Sequence, residues 1–208
     1  MEIDKPHDTF FKHIFGNVQN TKDFLKNFLP ANLSSKIDYD SIRIIETEKS
    51  DKQYDKHFLD LVVQSRISDT VSDIYFVFEH KSCFDKHTLI QVLRYCAVVW
   101  ENNITNNEPL RPVIPILFYH GRQRLDLPDR FEGYFDIEDD DIRGYLLDFG
   151  YVLFDTSRYT NEAIEKGLYH NAYFAATLLA MKHIFSRTEE LTVVFKHLKK
   201  LDDDSFMY

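Results

Sequence analysis

Two short apolar stretches, HFLDLVVQ at 57–64 and YFVFEHKS at 75–82, decide the fold of this chain. Both are rich in β-branched and aromatic residues, and a polar, turn-prone stretch at 65–73 separates them. Short apolar runs of this composition, bounded by turn residues, are typical of β-strands. The sequence therefore predicts two neighbouring strands of one sheet, joined by a turn.

Charged residues interrupt or end both predicted strands. Asp60 lies among the apolar residues of the first strand, and Glu79, His80 and Lys81 end the second. Side chains alternate between the two faces of a strand, so Glu79 and Lys81 share one face and His80 points to the other. If the strands pair, Asp60 joins Glu79 and Lys81 in one cluster. Two carboxylates and an ammonium at the end of a buried sheet are costly unless they bind something, and a divalent cation is the obvious candidate.

The composition is that of a folded globular domain. Of the 208 residues, 44% are hydrophobic and 15% aromatic, which favours a packed core over disorder. Cys83 and Cys96 are the only cysteines, and their spacing fits neither a disulfide framework nor a thiolate zinc site. No run approaches the roughly 20 apolar residues of a membrane span, and the N-terminal MEIDKPHD lacks the pattern of a secretory signal. We expect a cytoplasmic protein with no membrane partner.

The net charge of −9 argues against a protein that simply coats nucleic acid, because coating requires a basic surface. The charge is uneven, however, with acidic clusters at 138–141 and 202–204 and basic residues at Arg122, Arg124 and 196–200. A metal ion also supplies positive charge locally. Net charge therefore does not exclude an enzyme that acts on nucleic acid.

Beyond the two strands, the hydrophobic pattern predicts further helices and strands in a mixed order. They are a helix that begins near Asp8 or Thr9, a helix from Asn20 to Pro30, strands at 41–48, 111–121 and 151–155, and helices over 85–101, 161–187 and 189–201. The strands on either side of the helix at 85–101 should be parallel, with a right-handed crossover. Pro115 does not suit the strand at 111–121, because proline cannot donate to the ladder.

Six motifs, taken in order, resemble the Rpn family of recombination-promoting nucleases, often labelled transposases, within the PD-(D/E)XK nuclease superfamily. The motifs are HDTFFKHIFG (7–16), FLKNFLP (24–30), LDLVV (59–63), FEHKS (78–82), LIQVLRY (89–95) and PVIPILFYHG (112–121). The resemblance spans roughly residues 5–160. It implies an α/β fold with a PD-(D/E)XK nuclease-like core, a mixed central sheet flanked by helices, and magnesium-dependent cleavage of DNA in bacteria. We expect a nuclease-like domain at 1–160 and a C-terminal helical extension at 161–208 that packs on it.

The family resemblance implies roles for the charged cluster. Asp60 would anchor the metal, Glu79 would be a second ligand, and the backbone carbonyl of His80 would be a third. Hard oxygen ligands favour Mg²⁺ or Mn²⁺ over Zn²⁺. Lys81 stands where many relatives carry Gln, and it would position the attacking water and offset charge on the scissile phosphate. The alternatives are a strand-end aspartate at Asp60, bonded to a backbone N–H, and a surface glutamate at Glu79 paired with Lys81.

Other residues are weaker candidates. Gln91 resembles the family position that faces the site, and a helix-surface amide is an equal alternative. Lys12, Arg94 and His120 are candidate substrate contacts, although we expect Lys12 to be solvated, and a glycine-containing turn explains His120 as well. Asp8 is expected to be a helix cap. The sequence has no glycine-rich phosphate loop, so we expect no nucleotide cofactor.

Together these observations favour a metal-dependent endonuclease that hydrolyses DNA phosphodiester bonds and is linked to recombination or mobile elements. The first alternative is a catalytically degenerate nuclease fold that acts as a DNA- or protein-binding module. The second is an inactive remnant of a mobile-element protein. The oligomeric state is open, and a homodimer is one alternative.

Overall fold

Five strands form one mixed sheet in the computed structural model, which describes residues 6–45, 61–67, 73–185, 192 and 194. The strands are β1 (Ile37–Ile45), β2 (Leu61–Ile67), β3 (Asp73–Lys81), β4 (Val113–Tyr119) and β5 (Val152–Asp155). The helices are α1 (Pro6–Phe15), α2 (Val18–Phe28), α3 (Ala31–Ser34), α4 (Thr88–Thr105), α5 (Asp140–Arg143), α6 (Asn161–Gly167) and α7 (Ala172–His183), with short 3-10 helices at Phe131–Tyr134 and Thr156–Arg158. The predicted α/β class, a mixed sheet flanked by helices, is confirmed.

The strand order is β1-β2-β3-β4-β5. β2 is antiparallel to both β1 and β3, whereas β4 is parallel to both β3 and β5. Leu61 pairs with Phe78 across β2 and β3, and Lys81 pairs with Tyr119 across β3 and β4. Helix α4 connects β3 to β4, because parallel strands need a long crossover. The predicted pair of neighbouring strands, which is antiparallel, and the predicted helical crossover between parallel strands are both confirmed.

The two faces of the sheet carry different layers. Helices α1, α2 and α7 cover one face, where the buried aromatic side chains are Phe11, Phe15, Phe24, Phe76, Phe78, Phe118, Phe154 and Phe174. Helix α4 covers the other face, where its Tyr95 and Val99 pack against Val62 and Val77. Alternate residues of β3 thus enter different cores, as the period of two along a strand requires.

Pro115 lies inside a central strand without breaking the sheet. The backbone N–H of His120 donates to the carbonyl of Lys81 on β3 (3.1 Å), so even-numbered residues of this strand direct their N–H groups toward β3. Pro115 is odd-numbered and faces the β5 side, and β5 pairs only from Ile116 onward. The missing N–H therefore falls where β5 has not yet begun to pair.

Several predicted helix boundaries are wrong: the helix predicted from Asn20 begins at Val18, and the helix predicted over 85–101 is Thr88–Thr105. Helix α1 begins at Pro6, so Asp8 lies inside the helix and is not its N-cap. Proline suits the first helical position because no N–H is needed there. The predicted helix over 161–187 is two helices, because Asn171 caps α7 by accepting a hydrogen bond from the backbone N–H of Phe174 (3.0 Å).

Two predicted features lie outside the described residues. One is Asp60, and the other is the helix over 189–201, of which only Thr192 and Val194 are described, both as helical. None of the described helices combines the length and the apolar character needed to cross a membrane.

Candidate active site

The carboxyl end of β3 carries a buried carboxylate and a half-buried ammonium on one face. Glu79 and Lys81 lie on the face covered by α4, together with Tyr75 and Val77, because these positions are two residues apart. The side chain of Glu79 is 4% exposed. Its Oε1 lies 3.0 Å from Nζ of Lys81. The two side chains share one face, as the alternation predicts.

Helix α4 and the turn before it add an amide and a second carboxylate. Nζ of Lys81 donates to Oε1 of Gln91 (2.5 Å), and Nε2 of Gln91 donates to Oδ2 of Asp85 (3.5 Å). The backbone N–H of His87 fixes Asp85 by donating to its Oδ1 (2.9 Å). With Glu79, these three side chains form one continuous polar chain, which we call the β3–α4 cluster. Sequence reasoning missed Asp85, although an Asp just before a helix commonly forms such a turn.

The Glu79–Lys81 contact makes burial of the two charges tolerable. In a buried ion pair the desolvation penalty can exceed the attraction, so such a pair is weak evidence for a stabilising role. Removing one partner of a buried pair costs about 3–5 kcal/mol. Because burying these two charges costs free energy, their position at the end of the sheet suits a site that binds a ligand.

The imidazole of His80 points to the opposite face and is not part of the β3–α4 cluster. It stacks on Phe11 of α1 and on His120, with ring centroids 4.7 Å apart in both pairs. The backbone of His80 is oriented differently. The carbonyl of the next residue, Lys81, accepts from His120 on the β4 side, so the carbonyl of His80 points toward β2.

Asp60, the predicted metal anchor, lies outside the described residues. Its chain neighbour Leu61 pairs with Phe78, the residue before Glu79. Among the described residues, no group of three or more His, Cys, Asp or Glu side chains is arranged to hold a metal ion. The described part of this sheet end offers two hard oxygen donors, the Glu79 carboxylate and the His80 carbonyl. Their chemistry suits Mg²⁺ once a further carboxylate joins them.

The structure separates two of the candidate substrate contacts. Arg94 is exposed on α4, three residues after Gln91, and therefore lies near the β3–α4 cluster. Lys12 is exposed on α1, which packs on the opposite face of the sheet. The side chains at 7–8 are outside the described part of the chain.

His120, the third candidate contact, is 1% exposed. Its ring stacks on Phe185, with centroids 5.9 Å apart. The next residue is glycine for a steric reason, because a Cβ at Gly121 would collide with Oη of Tyr119 and lie 2.8 Å from the carbonyl oxygen of Ser82. The chain that leaves β4 therefore passes very close to the segment that follows β3.

A family model matches almost the whole chain. The model described as "Putative transposase, YhgA-like" covers residues 5–205. No solved structure matches this chain significantly.

Individual relatives from Escherichia coli match a shorter part. The chain is 31% identical over 118 residues to the recombination-promoting nuclease RpnD of strain O157:H7, covering 56% of this chain and 45% of RpnD. It is 26% identical over 117 residues to the recombination-promoting nuclease RpnA of strain K12, covering 56% of this chain and 40% of RpnA. The inactive recombination-promoting nuclease-like protein RpnE of strain K12 is 29% identical over 117 residues, covering 56% of this chain and 39% of RpnE. The chain spans less than half the length of these relatives.

Proposed function

Because this chain belongs to the YhgA-like (Rpn) transposase family, we propose that it is a metal-dependent endonuclease of the PD-(D/E)XK type that hydrolyses DNA. The observation that carries the proposal is the β3–α4 cluster, in which a buried carboxylate oxygen lies 3.0 Å from an ammonium at the carboxyl end of β3. Two of the relatives, RpnD and RpnA, are named nucleases and support the same activity.

Three oxygen donors of this chain would hold the cation, which we expect to be Mg²⁺ or Mn²⁺. They are the carboxylates of Asp60 and Glu79 and the backbone carbonyl of His80. Leu61 pairs with Phe78, so one further antiparallel step would set Asp60 opposite Glu79. When bound, a divalent cation lowers the pKa of a coordinated water and polarises a phosphoryl oxygen.

Lys81 would act on the reacting phosphate. Its ammonium is held between Glu79 and Gln91, so it can orient the attacking water and offset the charge that develops on the scissile phosphate. Gln91 fixes the direction of the ammonium, and Oδ2 of Asp85 accepts a long hydrogen bond (3.5 Å) from the amide. We therefore assign Asp85 as a positioning residue. Preorganised donors of this kind stabilise a transition state without rearranging during the reaction.

A binding module is the second candidate function. One relative with a similar level of identity, RpnE, is named an inactive nuclease-like protein. A Glu79–Lys81 pair that serves the fold alone would also give the observed contact. Activity measurements separate the two candidates.

The test is digestion of supercoiled plasmid with Mg²⁺, Mn²⁺, Ca²⁺ or EDTA. We expect cleavage with Mg²⁺ or Mn²⁺, none with EDTA, and little with Ca²⁺, because the looser coordination of Ca²⁺ positions water poorly. Asp60→Ala and Glu79→Gln should each lose metal-dependent cleavage while the protein stays folded. Glu101→Gln removes an exposed carboxylate of α4 and should cut like the parent.

Two outcomes would overturn the proposal. If Asp60→Ala and Glu79→Gln cut as fast as the parent, the site is elsewhere or the activity is a contaminant. If the parent binds DNA but is inert with every cation, the binding-module alternative is correct.

A further inference from the structure

A pocket lies at the carboxyl ends of β4 and β5, on the face of the sheet opposite the β3–α4 cluster. Its volume is about 450 Å³. Three separate segments build it: the residues that follow β4, the 3-10 helix that follows β5, and the end of α7. Crevices outside the carboxyl ends of parallel strands are common ligand sites in α/β proteins.

Two cations line this pocket, and backbone carbonyls hold each of them. Nζ of Lys182 donates to the carbonyl of Thr156 (2.9 Å), and Nη2 of Arg122 donates to the carbonyl of Phe185 (2.8 Å). The guanidinium of Arg122 also lies over the Phe185 ring, 5.5 Å from its centroid. An ammonium has three N–H donors and a guanidinium has five, so both groups keep donors for a ligand. The hydroxyl of Ser157 is a further exposed donor at the pocket.

The charge balance of the pocket is unusual for an acidic chain. None of its described lining residues is acidic, and within the described residues neither Arg122 nor the half-buried Lys182 forms an ion pair with a carboxylate. Elsewhere the described cations often have carboxylate partners, as in Arg66–Asp38, Arg111–Glu108, Arg130–Asp148 and Arg143–Glu132. Two fixed cations without a carboxylate, beside hydroxyl and imidazole groups, suit an oxyanion such as phosphate.

We propose that this pocket binds a backbone phosphate of the DNA strand, which rests on the proposed nuclease function and gives the substrate a second anchor. Lys81 pairs with Tyr119, and Tyr119 pairs with Asp155, so these three residues lie in one row across the sheet. The pocket residue Thr156 follows Asp155 and lies one residue beyond that row. Lys81 on β3 and Asp155 on β5 are two strand spacings apart, or about 10 Å. A DNA strand that crosses the carboxyl edge of the sheet can therefore reach both sites.

The test measures DNA binding apart from cleavage. A fluorescein-labelled DNA duplex is titrated with protein in EDTA at several salt concentrations, and binding is followed by fluorescence anisotropy. The variants are Arg122→Gln and Lys182→Gln. Arg124→Gln is the matched control, because Arg124 is exposed in the same loop but does not line the pocket.

A lost phosphate contact has a specific signature. Each pocket variant should weaken DNA binding about fivefold or more and reduce the slope of log K against log salt by about one. The control should change neither quantity. Thermal unfolding of each variant checks that it is folded. If Lys182→Gln has a lower melting temperature because the hydrogen bond to Thr156 is lost, Arg122→Gln, which changes an exposed residue, decides the test.

Unchanged affinity and salt slope in Arg122→Gln would overturn the proposal. The failure of this proposal is distinguishable from the failure of the nuclease proposal. If the parent cleaves DNA and the pocket variants bind DNA normally, only the pocket proposal is disproved. If the parent binds DNA but never cleaves it, and the pocket variants bind more weakly, only the nuclease proposal is disproved. In the last experiment, inorganic phosphate is added to the protein, and the NMR signals of the His120 and His183 rings report its binding. Phosphate-dependent shifts in a protein that does not bind DNA would assign the pocket to a small phosphorylated ligand and overturn the DNA assignment.

Discussion

Lys81 is the residue on which the proposed chemistry depends most. Its ammonium contacts Glu79 on one side and Gln91 on the other, at 3.0 Å and 2.5 Å. Two partners fix the side chain in one position, which removes much of the rotamer freedom that a lysine normally keeps. A charge held in place before the substrate arrives contributes more to the transition state than to ground-state binding.

We predict that Lys81→Ala lowers the single-turnover rate of DNA cleavage about a hundredfold or more, the scale expected when one charge-stabilising donor is removed. The affinity for uncut DNA in Ca²⁺ should change little. Lys81→Gln should be milder, because an amide can still orient a water molecule. Single-turnover cleavage and equilibrium binding, measured on the same preparations, separate the two effects.

Lys86→Ala is the matched control for charge alone. Lys86 is exposed in the turn between β3 and α4, so its loss should leave the cleavage rate near that of the parent. Equal losses of rate and affinity in Lys81→Ala would instead make Lys81 a simple phosphate contact.

At the scale of elements, β3 is buried on both faces and serves a different purpose on each. Its odd-numbered residues face α4 and end in the proposed site, and its even-numbered residues face the aromatic core. Helix α1 supports that second face. Phe11 is fully buried and stacks on His80 (4.7 Å) and edge-on to Phe118 (5.4 Å), which ties α1 to the ends of β3 and β4.

We predict that Phe11→Ala lowers the free energy of unfolding by about 3–5 kcal/mol, because a buried aromatic ring is replaced by a cavity. Phe10→Ala changes the neighbouring residue, whose side chain is 42% exposed, and should cost less than about 1 kcal/mol. Urea unfolding followed by circular dichroism measures both values. Similar losses in the two variants would show that α1 does not dock through Phe11.

At the scale of the whole molecule, the fold buries several groups that become charged at alkaline pH. Burial raises the pKa of the Cys96 thiol to about 11 and that of the Tyr151 phenol to about 12. Burial likewise raises the pKa values of four more phenols, those of Tyr39, Tyr119, Tyr134 and Tyr159. In each case the folded protein holds the proton more tightly than the unfolded chain.

We therefore predict a loss of stability at alkaline pH. The stability that the Cys96 proton contributes is fully present below its ordinary pKa of 9.0 and is lost as the pH rises to about 11. A raised pKa of about two units corresponds to about 2–3 kcal/mol at 1.36 kcal/mol per unit. The tyrosines extend the decline above their ordinary pKa of 10.0. Urea midpoints at a series of pH values from neutral to alkaline follow the loss.

Cys96→Ala isolates the contribution of the thiol. This variant should be less stable near neutral pH, because it leaves a small cavity, but its stability should fall less steeply between pH 9 and 10. The part of the decline above pH 10 that the tyrosines cause should remain. The same slope in the parent and in Cys96→Ala would contradict the assignment to Cys96.

The sequence alone determined the elements whose signals are local. The period of two along 75–82 put Glu79 and Lys81 on one face and His80 on the other, and the long amphipathic run after it predicted the crossover to a parallel strand. These features depend on chain geometry and hydrophobic pattern within a few residues, so no distant contact was needed to predict them. Helix ends were less certain, because capping by Asn171 competes with a helical pattern that continues through it.

Only the tertiary structure decided which groups meet. The sequence left Gln91 equally assigned to the site and to the helix surface, and the rotation of α4 on the sheet set its Oε1 2.5 Å from Lys81. The basic pocket depends even more on long-range contacts, since Arg122 and Lys182 come from segments sixty residues apart. Helix rotation and the approach of distant segments follow from packing of the whole core, and a local pattern carries no information about them.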